Sequence, residues 1–67
     1  MLTSEQITKF SARKGVKVIA VQNFLGTLGG STQSDALANL EMDARSYRWN
    51  AATVGAIRAG IVAHFKG

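Results

Sequence analysis

The segment that decides the fold runs from Leu37 to Phe65 and reads LANLEMDARSYRWNAATVGAIRAGIVAHF. It contains two stretches whose apolar residues have helical spacing, separated by only a few residues around Asn50. An asparagine at this position can accept hydrogen bonds from the free N–H groups that start the next helix, and Trp49 before it can pack on Val54. We therefore expect two helices joined by a short turn, which makes them cross at a fixed angle.

The first helix of this pair is the third predicted helix of the chain, and its start offers three alternative N-caps: Ser31, Thr32 and Ser34. Asp35 suits the first turn because a negative charge is favourable at the N-terminal end of the helix dipole. The core face carries apolar residues three or four positions apart: Leu37, Leu40, Ala44 and Tyr47. We expect this helix to continue to about Arg48.

The fourth predicted helix begins after Asn50 and has two contrasting faces. The core face is apolar, with Val62 at its edge, and carries Val54, Ile57, Ile61 and Phe65. The other face has only small residues: Ala51, Ala52, Gly55, Ala56, Ala59, Gly60 and Ala63. Glycine inside a helix costs about 1 kcal/mol relative to alanine, so the two glycines predict close approach of another helix or a nucleic-acid backbone. The alternative is simple tolerance of small residues.

The beginning of the chain predicts a first helix. Thr3 and Gln6 have the spacing of a capping box, in which each side chain bonds the backbone of the other residue. Gly15 can adopt the left-handed conformation that ends a helix. The first helix is therefore expected from about Thr3 to Lys14.

Residues 16–21 are rich in β-branched side chains, which suit a strand as well as a buried helix. The apolar pattern continues beyond them, and the residues at helical spacing are Val18, Val21, Leu25 and Leu28. No second strand-like segment is available as a partner. A second helix from about Val16 to Leu28 is therefore favoured, ended by Gly29 and Gly30.

Length and composition favour a single all-α domain of four short helices over residues 1–67. A chain this short buries only about 60% of its unfolded surface. It has no cysteine and one histidine, so neither a disulfide nor a zinc site can stabilise it. Self-association is another way for a small domain to gain stability, and we therefore expect a homodimer. There is no apolar run of membrane-spanning length and no secretion signal, which predicts a cytoplasmic protein without a membrane partner.

The chain is basic, with eight Lys and Arg residues against four Asp and Glu residues and a net charge of +4. Such a charge favours polyanionic partners, although solubility alone is the alternative reason for it. One group of cations lies near the start of the chain: Lys9, Arg13, Lys14 and Lys17. A second group surrounds the later turn: Arg45, Arg48 and Arg58. We expect the two groups to form one basic face.

Residues Leu40 to Ala59 resemble the helix-turn-helix family of DNA-binding domains. The features that match the family's small residue, turn and aliphatic positions are Ala44, the Trp49–Asn50 turn, Val54 and Ile57. Where the family usually has glycine, this chain has Arg48, which can adopt a left-handed conformation at some cost.

The resemblance implies that the last helix lies in the DNA major groove. The residues it would present there are Asn50, Ala51, Ala52, Gly55, Ala56 and Ala59. Among them only Asn50 can make a bidentate contact, to adenine, so the seven basic residues named above would bind phosphates with weak sequence selectivity. The competing hypothesis is a non-enzymatic interaction module that docks a protein partner or a second copy on the small-residue face. Its basis is that Gly55, Ala59 and Ala63 recur every four residues, which forms one row of small side chains along the helix.

No catalytic or cofactor motif is evident. Tyr47 and Trp49 are able to stack on bases, but we favour a role in anchoring the junction between the last two helices. His64 has no neighbouring acid or nucleophile in the sequence, which is typical of a surface or rim histidine. We therefore expect no enzyme activity, no metal, no cofactor and no small-molecule substrate.

Overall fold

Four α-helices follow one another along residues 2–66, the part of the chain that this computed structural model describes. They are α1 (Ser4–Ser11), α2 (Val18–Gly26), α3 (Gln33–Tyr47) and α4 (Ala51–Lys66). Residues 2–66 contain no strand, and the ambiguous stretch is helical from Val18 onwards. The predicted all-α fold of four helices is confirmed.

Helix α1 begins with the predicted capping box. The Gln6 N–H donates to Thr3 Oγ1 at 3.2 Å, and the Thr3 N–H donates to Gln6 Oε1 at 2.9 Å. The helix ends at Ser11, earlier than the predicted Lys14. Ser11 Oγ donates to the Thr8 carbonyl at 2.9 Å. Side-chain bonds of this kind offer the backbone an alternative to the hydrogen bonds of a longer helix. The residues after Ser11 turn back towards α4, with Gly15 left-handed at φ 80°.

Helix α2 is shorter than predicted at both ends, spanning Val18–Gly26 instead of residues 16–28. At its start, Lys17 has an extended backbone, with φ −79° and ψ 102°, and its N–H donates to Thr53 Oγ1 of α4 at 3.0 Å. At the other end, Thr27 Oγ1 donates to the Phe24 carbonyl at 3.0 Å. Both limits coincide with hydrogen bonds between a side chain and the backbone, which apolar spacing does not report.

Helix α3 uses one of its three candidate caps, Thr32, whose Oγ1 accepts from the Asp35 N–H at 3.1 Å. It ends at Tyr47, and Arg48 adopts the left-handed conformation, with φ 55° and ψ 48°. The Ala44 carbonyl accepts both from the Arg48 N–H and, at 3.1 Å, from the Trp49 N–H. Arginine therefore takes the backbone conformation that glycine usually supplies.

Helix α4 is the centre of the fold, because it packs against each of the other three helices. The buried apolar core has members from every helix except α1: Val21, Leu25, Leu28, Ala36, Leu40, Ala56, Ile57 and Ile61. Within residues 2–66, no Cα of α2 comes within 8 Å of a Cα of α3. The backbones of the two helices therefore do not approach each other closely, and both helices pack on α4.

Some residues predicted for the core are exposed. Val18 is 45% exposed, Tyr47 64% and Val62 46%. Val18 is the first residue of α2 and Tyr47 the last of α3. Helical spacing indicates which face a residue occupies, but it does not indicate where along the helix its packing partners end.

The predicted small-residue face of α4 is divided by the fold. Ala56 is 1% exposed and Gly60 is also buried, so neither is available to a partner and the prediction of Ala56 as a surface residue is wrong. A Cβ added at Gly60 would lie 2.5 Å from Leu25 Cδ1. The close neighbour that Gly60 accommodates is therefore α2 of the same chain.

Candidate functional site

Asn50 connects three parts of the chain at the start of α4. Its Oδ1 accepts from the Thr53 N–H at 3.0 Å, which confirms its predicted role as the N-cap, and it also accepts from the Thr53 hydroxyl. Its Nδ2 donates to the Gly15 carbonyl at 2.7 Å. One side chain therefore caps α4 and holds the α1–α2 connection against it.

Thr53 provides the second link to the same connection. It is completely buried, and its Oγ1 accepts from the Lys17 N–H at 3.0 Å. A Cβ added at Gly15 would lie 3.6 Å from the Ala52 Cβ, the distance of an ordinary van der Waals contact, so the two segments lie close together. No sequence signal indicates this role for Thr53, because its partner lies 36 residues away along the chain.

These contacts hold the segment that carries three of the seven predicted phosphate-binding residues against the start of α4, which follows the turn that carries a fourth. Arg13, Lys14 and Lys17 belong to the α1–α2 connection, and Arg48 belongs to the α3–α4 turn; all four are exposed. We call this group the basic end: Arg13, Lys14, Lys17 and Arg48. The other three cations are also exposed: Lys9 and Arg45 lie in the last turns of α1 and α3, and Arg58 lies within α4.

Within the basic end, the Arg13 side chain has a defined neighbour. Its guanidinium carbon lies 5.2 Å from the centroid of the Phe10 ring. A cation over an aromatic face is attracted by the negative face of the ring. This contact places the Arg13 guanidinium close to the end of α1.

The residues predicted to face a nucleic acid have different environments. Asn50, Ala51, Ala52 and Gly55 are exposed, and Ala59 is half-buried. A Cβ added at Gly55 would meet nothing within 4 Å, so this part of α4 presents an open surface. Both polar atoms of the Asn50 amide are used in hydrogen bonds within the chain, so a bidentate contact to adenine would require breaking them.

The aromatic residues of the α3–α4 junction lie against one another. The Trp49 ring stacks on Tyr47, with centroids 5.6 Å apart and an interplanar angle of 18°, and meets the edge of Phe24 at 6.2 Å and 80°. Trp49 is half-buried against the core, which confirms its expected anchoring role. Tyr47 covers the outer side of this ring and remains largely exposed.

The gap between α2 and α3 forms a groove of about 520 Å³ that sequence reasoning did not identify. We call it the α2–α3 groove. Its apolar lining comes mainly from Ile19, Phe24, Leu28, Ala36, Tyr47 and Trp49. Its polar lining includes Asn23, Asn39 and Asp43, and Asp43 is the one charged side chain that the described residues place there. The groove depends on how far apart the backbones of α2 and α3 lie, a tertiary feature with no local sequence signal.

His64 lies at the rim of the fold, as expected. It is half-buried, and its Nδ1 accepts from the Leu2 N–H at 3.4 Å. Across residues 2–66, no three His, Cys, Asp or Glu side chains are grouped so that they could hold a metal ion. None of the helices in this range has both the length and the apolarity that a bilayer crossing requires.

Comparison with known proteins finds no matching family model, no similar curated protein and no similar solved structure.

Proposed function

We propose that this protein is a cytoplasmic, non-enzymatic nucleic-acid-binding protein of helix-turn-helix type that contacts DNA phosphates through its basic end. The observation that carries the proposal is the pair of links from α4 to the α1–α2 connection, through Asn50 and Thr53. These links hold the segment that carries three cations against Asn50 and Thr53, close in sequence to Arg48. Cations whose segments are already held together in the free protein do not have to be brought together when a phosphate backbone binds.

The surface beside the basic end is suited to close approach. Ala51, Ala52 and Gly55 are exposed and small, so they do not obstruct a nucleic-acid backbone. The first N–H groups of a helix have no acceptor within it, and the helix dipole favours negative charge at this end. Both effects support phosphate contacts around the start of α4.

We expect little discrimination between DNA sequences. Alanine and glycine offer at most apolar contact with thymine methyl groups, and the Asn50 amide is engaged within the chain. Phosphate contacts carry no direct sequence information. The function we propose is therefore that of a DNA-associated accessory protein that binds duplexes generally.

The proposal is tested by fluorescence anisotropy with a labelled DNA duplex, titrated over a range of salt concentrations. If all four cations of the basic end contact phosphates, a plot of log K against log salt should have a slope of about −3 to −4. Lys14→Ala and Lys17→Ala should each make the slope shallower by about one and weaken binding to all duplexes alike.

Lys66→Ala is the matched control, because it removes the same charge from the opposite end of α4, about 24 Å from Asn50. It should leave the slope unchanged. Absence of binding at low salt, or equal effects of Lys14→Ala and Lys66→Ala, would overturn the proposal. The predicted homodimer is tested on the same samples by sedimentation equilibrium.

A further inference from the structure

The α2–α3 groove is a second surface with chemistry unlike that of the basic end. Its volume of about 520 Å³ falls in the range of established binding sites, and its walls combine apolar and aromatic side chains with polar ones. Ile19, on the α2 side, is 71% exposed, and Tyr47, on the α3 side, is 64% exposed. Two large side chains are therefore left in water on opposite sides of one groove.

Charge indicates what the groove can accept. Asp43 lies one helical turn before Tyr47 on α3 and is half-buried in the groove lining. Within the described residues, no Lys or Arg side chain lines the groove, although the chain as a whole carries a net charge of +4. A carboxylate beside a stacked Tyr47–Trp49 pair suits a guanidinium, which can bond the carboxylate and lie flat on an aromatic ring. The same carboxylate repels a phosphate backbone.

The shape of the groove indicates the form of the ligand. It lies between two helices, and an α-helix, which satisfies its own backbone hydrogen bonds, can pack against the apolar part of its lining without leaving backbone groups unpaired. Asn23 on α2 and Asn39 on α3 supply polar groups to its lining. The nine residues of α2 are about 13 Å long, which corresponds to between two and three turns of a bound helix.

We propose that the α2–α3 groove binds an amphipathic helix of a partner protein, which buries apolar side chains against Ile19 and Phe24 and places one basic side chain between Asp43 and Tyr47. This mode is helix-in-groove recognition, with anchors at helical spacing. The proposal is independent of DNA binding, because none of the cations of the basic end lines the groove.

The test is a selection from a phage-displayed library of helical peptides of about 14 residues, long enough for the anchors at i, i+3, i+4 and i+7. The enriched peptides should combine apolar residues at that spacing with an Arg or Lys. Their affinity is then measured with synthetic peptides through the fluorescence of Trp49, which is the one tryptophan of the chain and lines the groove.

Asp43→Lys should weaken the selected peptides about tenfold or more, as expected for replacing a charge-assisted contact with repulsion. Glu41→Lys makes the same charge change on an exposed residue of α3 outside the groove lining and should have little effect. Lys14→Ala should leave peptide affinity unchanged. Circular dichroism establishes that each variant is folded.

The proposal is overturned if the selection enriches no peptide, if the enriched peptides are acidic, or if their affinity is the same for Asp43→Lys and Glu41→Lys. Ile19→Arg provides a second test on the other wall, since it places a cation where an apolar anchor should pack. Unchanged affinity in this variant would also contradict the proposed binding mode.

Discussion

Replacing Asn50 with alanine removes three hydrogen bonds from the junction between α3 and α4. Two are accepted by Oδ1, from the N–H and the hydroxyl of Thr53, and the third is donated by Nδ2 to the Gly15 carbonyl. We expect this substitution to destabilise the protein more than any other exposed Asn→Ala change. It acts both on the start of α4 and on the α1–α2 connection.

The magnitude follows from the individual contacts. Loss of an N-cap costs about 1 kcal/mol, and loss of the exposed bond to Gly15 costs about 0.5 kcal/mol. The Thr53 hydroxyl is completely buried, and leaving it without an acceptor costs about 1 to 2 kcal/mol. The total is about 2.5 to 3.5 kcal/mol, whereas a domain of this size has a total stability of about 3 to 10 kcal/mol.

The assay is urea denaturation followed by circular dichroism and by Trp49 fluorescence. At about 4 to 8 °C per kcal/mol for a domain of this size, Asn50→Ala should also lower Tm by at least about 10 °C. Asn50→Asp keeps the capping oxygen but loses the amide donor to Gly15, so it should cost only about 1 kcal/mol. Asn23→Ala is the matched control, because it makes the same truncation at an exposed site within α2.

The reasoning is refuted if Asn50→Ala changes the free energy of unfolding by less than about 0.5 kcal/mol, the range of ordinary surface substitutions. It is also refuted if Asn50→Asp and Asn50→Ala are equally destabilising. That result would mean that the cap and the Thr53 hydroxyl contribute nothing beyond the Gly15 bond.

Three further substitutions test the packing and the turn. Gly60→Ala should lower the free energy of unfolding by about 1 to 2 kcal/mol, because the new Cβ would meet Leu25 at 2.5 Å. Gly55→Ala places its Cβ in open space and should raise the free energy of unfolding by up to about 1 kcal/mol; urea denaturation measures both variants. Arg48→Gly should stabilise by about 0.5 to 1 kcal/mol by removing a left-handed arginine, while the slope of the DNA salt titration becomes shallower by about one. Leu40→Ala, at a position 1% exposed, should cost about 2 to 4 kcal/mol, measured as a shift in the urea midpoint.

The elements of the fold that depend on local chemistry were predictable from the sequence. The capping box of Thr3 and Gln6, the cap at Asn50 and the start of α4 each involve residues within three positions of one another. Short-range interactions of this kind leave a signal in the sequence itself. The limits of α1 and α2 were less predictable. At the start of α2, for example, Lys17 bonds to a residue on α4 that is distant in the sequence.

The candidate sites were less accessible to sequence reasoning than the fold. The basic residues are visible in the sequence. The bonds of Gly15 and Lys17 to the start of α4 are needed to show which of the segments that carry them lie together. For the small-residue face of α4, the prediction is wrong at Ala56, which the chain itself covers, whereas the close approach of another helix is confirmed at Gly60. A small residue on a helix looks the same in the sequence whether a partner or the chain itself covers it. The α2–α3 groove had no sequence signal, since it depends on the distance between two helix backbones.

The three residues of the α3–α4 turn link both proposed surfaces. Arg48 supplies a cation to the basic end, Trp49 forms part of the groove wall, and Asn50 holds the α1–α2 connection. Because these residues are consecutive, we expect a substitution that moves the turn to disturb the proposed DNA binding and the proposed peptide binding together. Lys14→Ala and Asp43→Lys each alter one surface and leave the turn intact, so they separate the two proposed activities where substitutions at Asn50 cannot.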